Sequence, residues 1–269
     1  MPELPEVESA RRVLVHALDR EIADVDDTDT WVCRPHAPGE IAKALEGGRL
    51  TAARRRGKAM WCETVGRDGE RGPDLGVHLG MGGRVIVTDD AGQRVGGGPA
   101  RPDRSPRKAE WDRFTITFAD GGSFRLFDKR RLGRVRLDPD IDALGPDAQG
   151  ISREEFRTRV ARGRSAVKAR LLDQSVLAGV GNLLADETLW QARISPAAPA
   201  DALSRRRLDG LHDALAAALA SAIERGGVHT GEVIEHRRAG GHCPRCGAEM
   251  LHGTVGGRST WWCSREQRR

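Results

Sequence analysis

The sequence lacks any uninterrupted run of about 18 apolar residues, which is the length that a membrane-spanning helix requires. Its opening residues, Met1–Glu8, carry acidic side chains where a secretory signal peptide carries positive charge and then an apolar stretch. The 269 residues, 38% of them hydrophobic, are enough to build one large core or two modest ones. We therefore expect a globular protein of the cytoplasm that has no membrane partner.

Cysteine is scarce, and its number is odd. Three of the five cysteines, Cys243, Cys246 and Cys263, lie near the C-terminus, whereas Cys33 and Cys62 stand alone. A disulfide framework uses an even number of cysteines, so this distribution favours a terminal metal site over disulfides. We expect Cys33 and Cys62 to be packing residues.

Lysine is also rare, because only five of the 44 basic residues are lysine and the rest are arginine. The formal net charge is +5 and the isoelectric point is about 9.2. Such a balance is compatible with a nucleic-acid partner. An arginine bias also arises from codon usage, so charge alone leaves the partner open.

The N-terminal half predicts one helix followed by short strands. Apolar residues recur at three- and four-residue steps from Val7 to Leu18, which is typical of an amphipathic helix. Strand-like stretches, several of them bounded by Gly or Asp, follow at residues 49–53, 59–63, 83–88, 113–118 and 123–127. Residues 89–108 are so rich in Gly, Pro and charge that we expect a mobile connection there, without a strand.

The C-terminal half predicts helices. A stretch dense in Asp, Pro and Gly, residues 138–150, marks the boundary between the two halves. Ser152 followed by Glu155 is a capping-box pattern that opens one helix. Three further helices are predicted at residues 166–174, 183–191 and 204–224, with a glycine turn at residues 177–182.

The C-terminal cysteines have the spacing of a zinc ribbon with one ligand replaced. Cys243 and Cys246 form a CxxC knuckle, and Cys263 follows after 16 residues. A four-cysteine ribbon has its last ligand at position 266, where this sequence has Glu266. The glycines that suit a hairpin turn between the two cysteine groups are Gly253, Gly256 and Gly257.

Zinc also accepts carboxylate and imidazole ligands, so the fourth position has several candidates. Three thiolates with Glu266, or with His242 or His252, would complete a tetrahedron. The alternative is a degenerate finger that folds without metal or binds it weakly. A thiol redox role would leave the spacing to Cys263 unexplained.

The N-terminus offers a nucleophile. The small residue after Met1 favours removal of the initiator methionine, which leaves Pro2 with a free secondary amine. An α-amino group has a pKa of about 7.7–8.0, so much of it is neutral at physiological pH. Condensation with a sugar C1′ would give a cationic iminium, and Glu3 and Glu6 are carboxylates placed for proton transfer. Alone, however, this pattern also fits an ordinary helix N-terminus.

Segments along almost the whole chain, in a fixed order, resemble the formamidopyrimidine-DNA glycosylase and endonuclease VIII family. The first is Pro2–Glu8 (PELPEVE), whose Leu4 is typical of the formamidopyrimidine branch. The later segments are Arg56-Gly57-Lys58, His78-Leu79-Gly80-Met81, Asp128-Lys129-Arg130-Arg131-Leu132-Gly133, residues 171–187 and the C-terminal finger.

The resemblance implies a role for each matching residue. Pro2 would be the Schiff-base nucleophile and Glu3 the general acid. The catalytic residues implied are Pro2, Glu3, Glu6 and Lys58. The residues implied to contact DNA are Met81, Arg130, Arg131, Leu132, Lys168, Asn182 and Arg258. Together with the cysteine spacing, the implied zinc ligands are Cys243, Cys246, Cys263 and Glu266.

Within this set, Lys58, Asn182 and Arg258 would hold phosphates, while Asn182 has an alternative role as a helix cap. Met81, Arg130 and Leu132 would fill the space that a flipped base leaves. Leu132 replaces the phenylalanine common in this branch, so we expect weaker stacking there.

The implied fold is an α+β multidomain protein. Residues 1–137 would form a β-sandwich with flanking helices, and residues 138–150 a linker. Residues 151–235 would form a helix-two-turns-helix bundle and residues 236–269 a zinc-finger-like β-hairpin, with DNA in the cleft between the domains. We expect a cytoplasmic, nucleoid-associated monomer that binds damaged double-stranded DNA.

The implied activity is a bifunctional glycosylase and AP lyase of base-excision repair that removes oxidised purines and cleaves by β,δ-elimination. The short segment from Arg225 to His242 favours an alternative, in which the same chemistry acts on oxidised pyrimidines or other adducts. Two further alternatives are proteins without enzymatic activity. A non-catalytic DNA-binding protein would not need Pro2, Glu3 and Glu6, and a zinc-ribbon transcription factor would not be expected to lack the fourth cysteine.

Overall fold

The computed structural model describes residues 2–99 and 108–268. The chain divides into two compact units. The first consists of Met1–Pro2 and Glu6–Ile141, and the second of Glu3–Pro5 and Asp142–Arg269. Among the described residues, no helix combines the length and the apolar character needed to cross a membrane.

The first unit is built on two antiparallel sheets. Its strands are β1 (Ile22–Asp26), β2 (Arg49–Arg56), β3 (Ala59–Val65), β4 (Leu75–His78), β5 (Arg84–Thr88), β6 (Arg94–Gly97), β7 (Asp112–Phe118), β8 (Ser123–Phe127) and β9 (Arg134–Leu137). One sheet has the order β1-β7-β8-β5-β6, and the other has the order β2-β3-β4-β9. The predicted strands therefore exist, and the predicted sandwich is confirmed.

Both sheets contribute to one apolar core. Burial alternates along β3, where Met60 and Cys62 are buried and their neighbours are partly exposed, as a period of two residues requires. Met60 and Cys62 belong to the same core cluster as Phe114 and Phe124 of the other sheet. Cys33 also lies in this core, so the packing role predicted for both isolated cysteines is confirmed.

Helices α1 (Leu4–Leu14) and α2 (Glu40–Leu45) accompany the sheets. The apolar stripe predicted from Val7 onward is buried in the first core through Val7, Ala10 and Leu14. The regular helix ends at Leu14 and continues as a short 3₁₀ turn.

The prediction that residues 89–108 hold no strand is wrong, because β6 lies within them and pairs with β5. It is an edge strand, so only one side needs backbone partners. A Cβ at Gly97 would lie 2.5 Å from the carbonyl oxygen of Ser9, so glycine permits a close approach to α1. Residues 100–107 of the segment lie outside the described residues.

The second unit is helical, with α3 (Arg153–Val160), α4 (Val167–Leu172), α5 (Asn182–Gln191) and α6 (Arg205–Glu224). The four predicted helices are therefore confirmed within a few residues at their ends. Ser152 caps α3 as predicted, since its hydroxyl accepts a hydrogen bond from the Glu155 amide at 3.2 Å. The Glu155 carboxylate pairs with Arg159 instead of completing the capping box.

The second unit ends in a β-hairpin, here called the finger hairpin, formed by β10 (Met250–Val255) and β11 (Arg258–Cys263). Gly256 and Gly257 make the two-residue turn with φ of +60° and +70°, a conformation that suits glycine. Gly253 lies within β10 and not in the turn. Met250 and Cys263 pack with Trp190 of α5 in a separate small core.

An ion cluster joins α1 to β2 inside the first unit. The Glu8 carboxylate accepts hydrogen bonds from Arg11 at 2.8 Å and from Arg55 at 3.1 Å, and Glu8 is only 7% exposed. Burial alone would raise the pKa of Glu8. The hydrogen bonds from Arg11 and Arg55 outweigh it and lower the pKa to about 2.

Replacing Glu8 by Gln should lower the free energy of unfolding at pH 7 by about 2 kcal/mol, because Arg55 loses its buried partner. The pKa is depressed from 4.5 to about 2, so this contribution is present above pH 4.5 and is lost as the pH falls towards 2. Urea unfolding of both proteins at pH 7 and at pH 2.5 measures it. Glu63→Gln, which breaks the exposed pair with Arg54 at 2.9 Å, should cost less than about 0.5 kcal/mol. Equal losses for the two variants would contradict a structural role for Glu8.

Candidate functional site

The carboxylate of Glu3 is held at the start of α5, within the second unit. It accepts hydrogen bonds from three backbone amides, those of Gly181 at 3.0 Å, Leu183 at 2.9 Å and Leu184 at 3.1 Å. Glu3 is 2% exposed. The first amides of a helix have no partner within it and attract anions, so this carboxylate has a fixed place and orientation.

The turn before α5 is shaped to receive this side chain. A Cβ on Gly181 would lie 2.3 Å from the carboxyl carbon of Glu3, so only glycine leaves room for it. The Gln174 amide fixes the same turn, since it donates to the Val180 carbonyl at 3.0 Å and accepts from the Gly179 amide at 3.0 Å. Leu4 adds a backbone bond to the Gly179 carbonyl at 3.2 Å. The sequence motif contained Gln174, but its role as a clamp was not predicted.

The two other N-terminal candidates, Pro2 and Glu6, are also buried. Pro2 precedes Glu3 directly in the chain, and Glu6 lies in the first turns of α1. The chemical roles assigned to them stay predictions.

Asn182 is the first residue of α5, and its side-chain amide donates to the Ser259 carbonyl of the finger hairpin at 3.0 Å. Gly181 occupies the N-cap position, so the alternative role of Asn182 as a helix cap is wrong. Arg258 is exposed at the start of β11, directly after the glycine turn. The helix start and the hairpin are therefore linked through Asn182.

Lys168 does not lie on the surface, as a contact with DNA would require. Its side chain is fully buried, and its ammonium group lies 2.7 Å from the Asp186 carboxylate and 2.7 Å from the Thr260 hydroxyl. Arg237 binds the other oxygen of Asp186 at 2.8 Å. Burial lowers the pKa of Lys168, although Asp186 opposes this shift. Lys168 thus ties α4 and α5 to the finger hairpin, which corrects the predicted contact.

Met81, Arg130 and Leu132, the predicted wedge residues, lie on two loops of the first unit. Met81 is 44% exposed and Leu132 36%, so both apolar side chains are accessible to a partner. The guanidinium of Arg130 lies 3.6 Å from the Met81 sulfur, so the structure brings these two together.

The loops that carry the wedge residues are closely packed. A Cβ on Gly80 would lie 2.3 Å from the Leu132 backbone, and Gly80 has a φ of +59°. The buried carboxylate of Asp128 accepts from the amides of Arg130 at 3.0 Å and Leu132 at 2.8 Å. Asp128 therefore sets the loop conformation, a role that the sequence reasoning missed.

Arg131 and Lys58 complete the predicted set in the first unit. Arg131 forms a two-pronged pair with Asp29 at 2.7 and 3.0 Å, so part of its charge is already matched. Lys58 follows Gly57 in the turn between β2 and β3. Burial lowers the pKa of His78, and the nearby charges of Lys58 and Arg136 lower it further.

The three C-terminal thiols form a cluster. The ligand atoms of Cys243, Cys246 and Cys263 all lie within 4.8 Å of one another, and the sulfurs of Cys246 and Cys263 are 3.4 Å apart. Tetrahedral zinc with bonds of about 2.3 Å to sulfur places its thiolates about 3.8 Å apart. The donor set and spacing therefore fit a zinc finger. Trp190 donates from its indole nitrogen to the Cys243 sulfur at 3.3 Å.

Glu266 does not join this cluster. Among the described residues, the group of possible metal ligands at this place consists of the three thiols. The Glu266 carboxylate instead lies 2.8 Å from Arg245. His252 is engaged elsewhere, with Ser259 at 2.9 Å and in a stack on Trp261.

Sequence models of two domains match the chain. The formamidopyrimidine-DNA glycosylase N-terminal domain matches residues 1–135, and the H2TH domain of the same enzymes matches residues 143–233. The chain belongs to the formamidopyrimidine-DNA glycosylase family. It is accordingly a DNA glycosylase of base-excision repair, and the predicted family and enzyme class are confirmed.

Individual relatives match over their full length. The chain is 34% identical over 291 residues to a formamidopyrimidine-DNA glycosylase of Stenotrophomonas maltophilia, covering 100% of both chains. A crystal structure of Lactococcus lactis Fpg with N7-benzyl-Fapy-dG-containing DNA matches with a TM-score of 0.80 at 27% identity. The same Fpg with DNA containing an oxidised pyrimidine matches with a TM-score of 0.79 at 28% identity. Both structural matches cover 100% of both chains.

Because Glu3 is the predicted general acid, replacing Gly181 by Ala should displace its carboxylate and reduce base excision by about 100-fold, the contribution of one positioned acid or base. The backbone angles of Gly181, with φ of −116°, suit any residue, so the new methyl group is the only perturbation. Single-turnover release of a formamidopyrimidine base from a duplex measures the effect. Gly210→Ala, where no atom lies within 4 Å of the added carbon, is the matched control and should keep full activity. Full activity of Gly181→Ala would show that the position of Glu3 is unimportant.

Replacing Lys168 by Met should lower the free energy of unfolding by about 3 kcal/mol, because Asp186 keeps a buried charge that has lost one partner. Urea unfolding followed by tryptophan fluorescence reports on it, since Trp190 and Trp261 lie in this unit. The control is Arg159→Met, which breaks the surface pair with Glu155 at 2.9 Å and should cost less than about 0.5 kcal/mol. A loss no larger than that of the control would argue against the buried network as a source of stability.

Proposed function

We propose that the chain is a bifunctional DNA glycosylase and AP lyase that uses the Pro2 amine as its nucleophile. The observation that carries the proposal is the position of Glu3. A buried carboxylate fixed by three helix amides directly follows the residue that would attack. The same hydrogen bonds also stabilise the turn before α5, so the proposal depends on the direct adjacency of this fixed carboxylate to the Pro2 amine.

In the proposed reaction, the neutral Pro2 nitrogen forms a bond to C1′ of the damaged nucleotide, and the glycosidic bond breaks with the electron pair leaving on the base. The Glu3 carboxylate takes up the N–H proton that Pro2 loses after the attack and donates it to the sugar ring oxygen. The bond between C1′ and the ring oxygen then breaks, the ring opens to a cationic iminium, and the departed base takes a proton from water. The iminium draws the electrons of a C2′–H bond, whose proton is lost to a base, and the resulting enamine expels the C3′ phosphate and re-forms a conjugated iminium. Loss of the C4′ proton then expels the C5′ phosphate in the same way, which completes the β,δ-elimination. Water then releases Pro2 from the sugar fragment.

In this proposal, each of the two units contributes its own residues to DNA binding. Lys58 in the first unit and Arg258 in the second provide cations for phosphates, and Asn182 contributes a polar side chain that is bonded to the hairpin carrying Arg258. Met81, Arg130 and Leu132 enter the duplex where the base has left. The protein acts as a monomer on damaged double-stranded DNA in the cytoplasm.

Zinc, when bound by Cys243, Cys246 and Cys263, would supply a structural cross-link at the base of the finger hairpin. The proximity of the three thiols supports this part of the proposal. The metal takes no part in the chemistry at C1′.

For the substrate we favour oxidised purines, 8-oxoguanine and formamidopyrimidines, because the PELPE motif and the Met81–Arg130 pair follow that branch of the family. A second candidate is an oxidised pyrimidine. It is favoured by the short segment after α6, which folds as two 3₁₀ turns, Val228–Thr230 and Ile234–His236. This segment lines a cavity of about 400 Å³ with α5 and α6. The Lactococcus lactis Fpg was crystallised with DNA containing N7-benzyl-Fapy-dG and with DNA containing an oxidised pyrimidine.

Borohydride trapping tests the proposed function. Purified protein, with removal of Met1 confirmed by mass spectrometry, is mixed with duplexes that carry 8-oxoguanine, an oxidised pyrimidine or an abasic site. We expect a covalent adduct on Pro2, because borohydride reduces the iminium to a stable amine. The order of trapping across the duplexes distinguishes the two substrate classes.

Two variants sharpen this experiment. Glu3→Gln should lower base release by about 100-fold or more while DNA binding persists. Glu63→Gln, at an exposed carboxylate on β3, should leave both unchanged. Measurable DNA binding without any adduct would contradict the enzyme mechanism and support a non-catalytic damage-binding protein.

A further inference from the structure

Three thiols converge at the base of the finger hairpin, but the residue in line for the fourth metal position is held by another partner. Glu266 follows Cys263 by three residues, which matches the spacing of the CxxC knuckle. Its backbone amide already points at the Cys263 sulfur at 3.4 Å. Its carboxylate, in contrast, pairs with Arg245 at 2.8 Å.

Arg245 is itself firmly placed. Its guanidinium donates to the Trp190 carbonyl at 3.1 Å and to the Gln191 side-chain oxygen at 3.1 Å. It also stacks over the Trp190 ring, with its central carbon 3.9 Å from the ring centre. Arg245 lies inside the CxxC knuckle, between Cys243 and Cys246. The same short segment therefore supplies two thiols and holds the Glu266 carboxylate.

We propose that this metal centre is a three-thiolate site whose fourth position is open to an exchangeable donor such as water, because Arg245 retains the carboxylate of Glu266. A closed structural zinc site has four protein ligands, whereas three protein ligands leave a position for water or another small donor. Arg245 holds Glu266 through Oε2 in a charge-assisted pair that is only 15% exposed on the Glu266 side, and Glu266 is not part of the thiol cluster, so its carboxylate would have to move from this position to bind the metal.

The side chains around the thiols also agree with a metal site that has three protein ligands. The Trp190 indole donates to the Cys243 sulfur, which orients this ligand from outside the cluster. His252 is stacked on Trp261 with a ring distance of 4.5 Å and bonds to Ser259. Arg193 lies 3.7 Å from Glu266 but is 63% exposed, so it contributes little to holding the carboxylate.

The inference rests on the zinc-binding part of the proposed function and is tested without reference to activity. The full-length protein is loaded with Co²⁺, whose visible absorption depends on its ligands, and is titrated with imidazole as a small donor. We expect the wild-type spectrum to shift as imidazole occupies the fourth position. Glu266→Cys should supply a fourth thiolate, bind Zn²⁺ about tenfold more tightly or better, and show no shift with imidazole.

Three further variants separate the possible roles of Glu266. Glu266→Gln should keep the Zn²⁺ affinity close to that of wild type and keep the imidazole response, because the carboxylate is not a ligand. Arg245→Met should release Glu266 to the metal and suppress the imidazole response. Arg193→Met is the matched control, removing the exposed partner of the same carboxylate, and should behave like wild type.

A tenfold or larger loss of Zn²⁺ affinity in Glu266→Gln, together with a wild-type spectrum insensitive to imidazole, would overturn the proposal and make Glu266 the fourth ligand. Absence of bound Zn²⁺ or Co²⁺ in the wild type would overturn it in favour of a metal-free finger. Borohydride trapping on the same preparations tests the nucleophile separately, so failure of the metal proposal is distinguishable from failure of the proposed catalysis.

Discussion

The second unit depends on one interaction, that of the Glu3 carboxylate with the first amides of α5. The chain contributes only Glu3–Pro5 from its N-terminus to this unit, yet these residues fix the turn before the helix. Gly181 must be glycine to admit the carboxylate, and Gln174 must bridge the turn to keep the amides in line. These amides have no hydrogen-bond partner within α5. Their bonds to the Glu3 carboxylate therefore satisfy the helix start and also fix this acid directly after Pro2, the proposed nucleophile.

A second set of buried charges determines where the finger hairpin lies against the helices. Lys168 and Asp186 form a fully buried pair, and Thr260 and Arg237 share its hydrogen bonds. Buried pairs of this kind contribute less to stability than to a unique geometry, because desolvation cancels much of their attraction. Here the geometry joins the start of β11, which carries Arg258, to α5, which carries Asn182. The two predicted phosphate contacts of this unit are therefore set by one rigid network.

The sequence predicted those features whose cause is local. The periodicity of α6, the Ser152 cap and the Gly256-Gly257 turn follow from nearby residues, and all three are present. Strand β6 was missed, because its Gly97 is explained only by close packing against α1, a contact distant in sequence. The burial of Lys168 was missed for the same reason, since a lone lysine in a basic chain gives no sign that Asp186 is its partner.

The sequence predicted which residues belong to the site, but it did not predict which side chains contact one another. The family motifs identified Glu3 and the cysteines, yet they gave no indication that Arg245 would hold Glu266 or that Arg131 would pair with Asp29. Charged side chains have many possible partners within a sequence, and the fold decides among them. A motif alone therefore identifies which groups are available but not which of them are already engaged.

The finger hairpin is anchored at its two ends by different chemistry. The end near the glycine turn is held by hydrogen bonds from Asn182 and Lys168, and Gly256 there approaches Ala169 so closely that an added Cβ would lie 3.1 Å from it. The other end contains the thiol cluster. The position of Arg258 therefore depends on the contacts near the glycine turn more than on the metal site. A substitution at position 266 is therefore expected to alter the metal centre while the hairpin keeps its place.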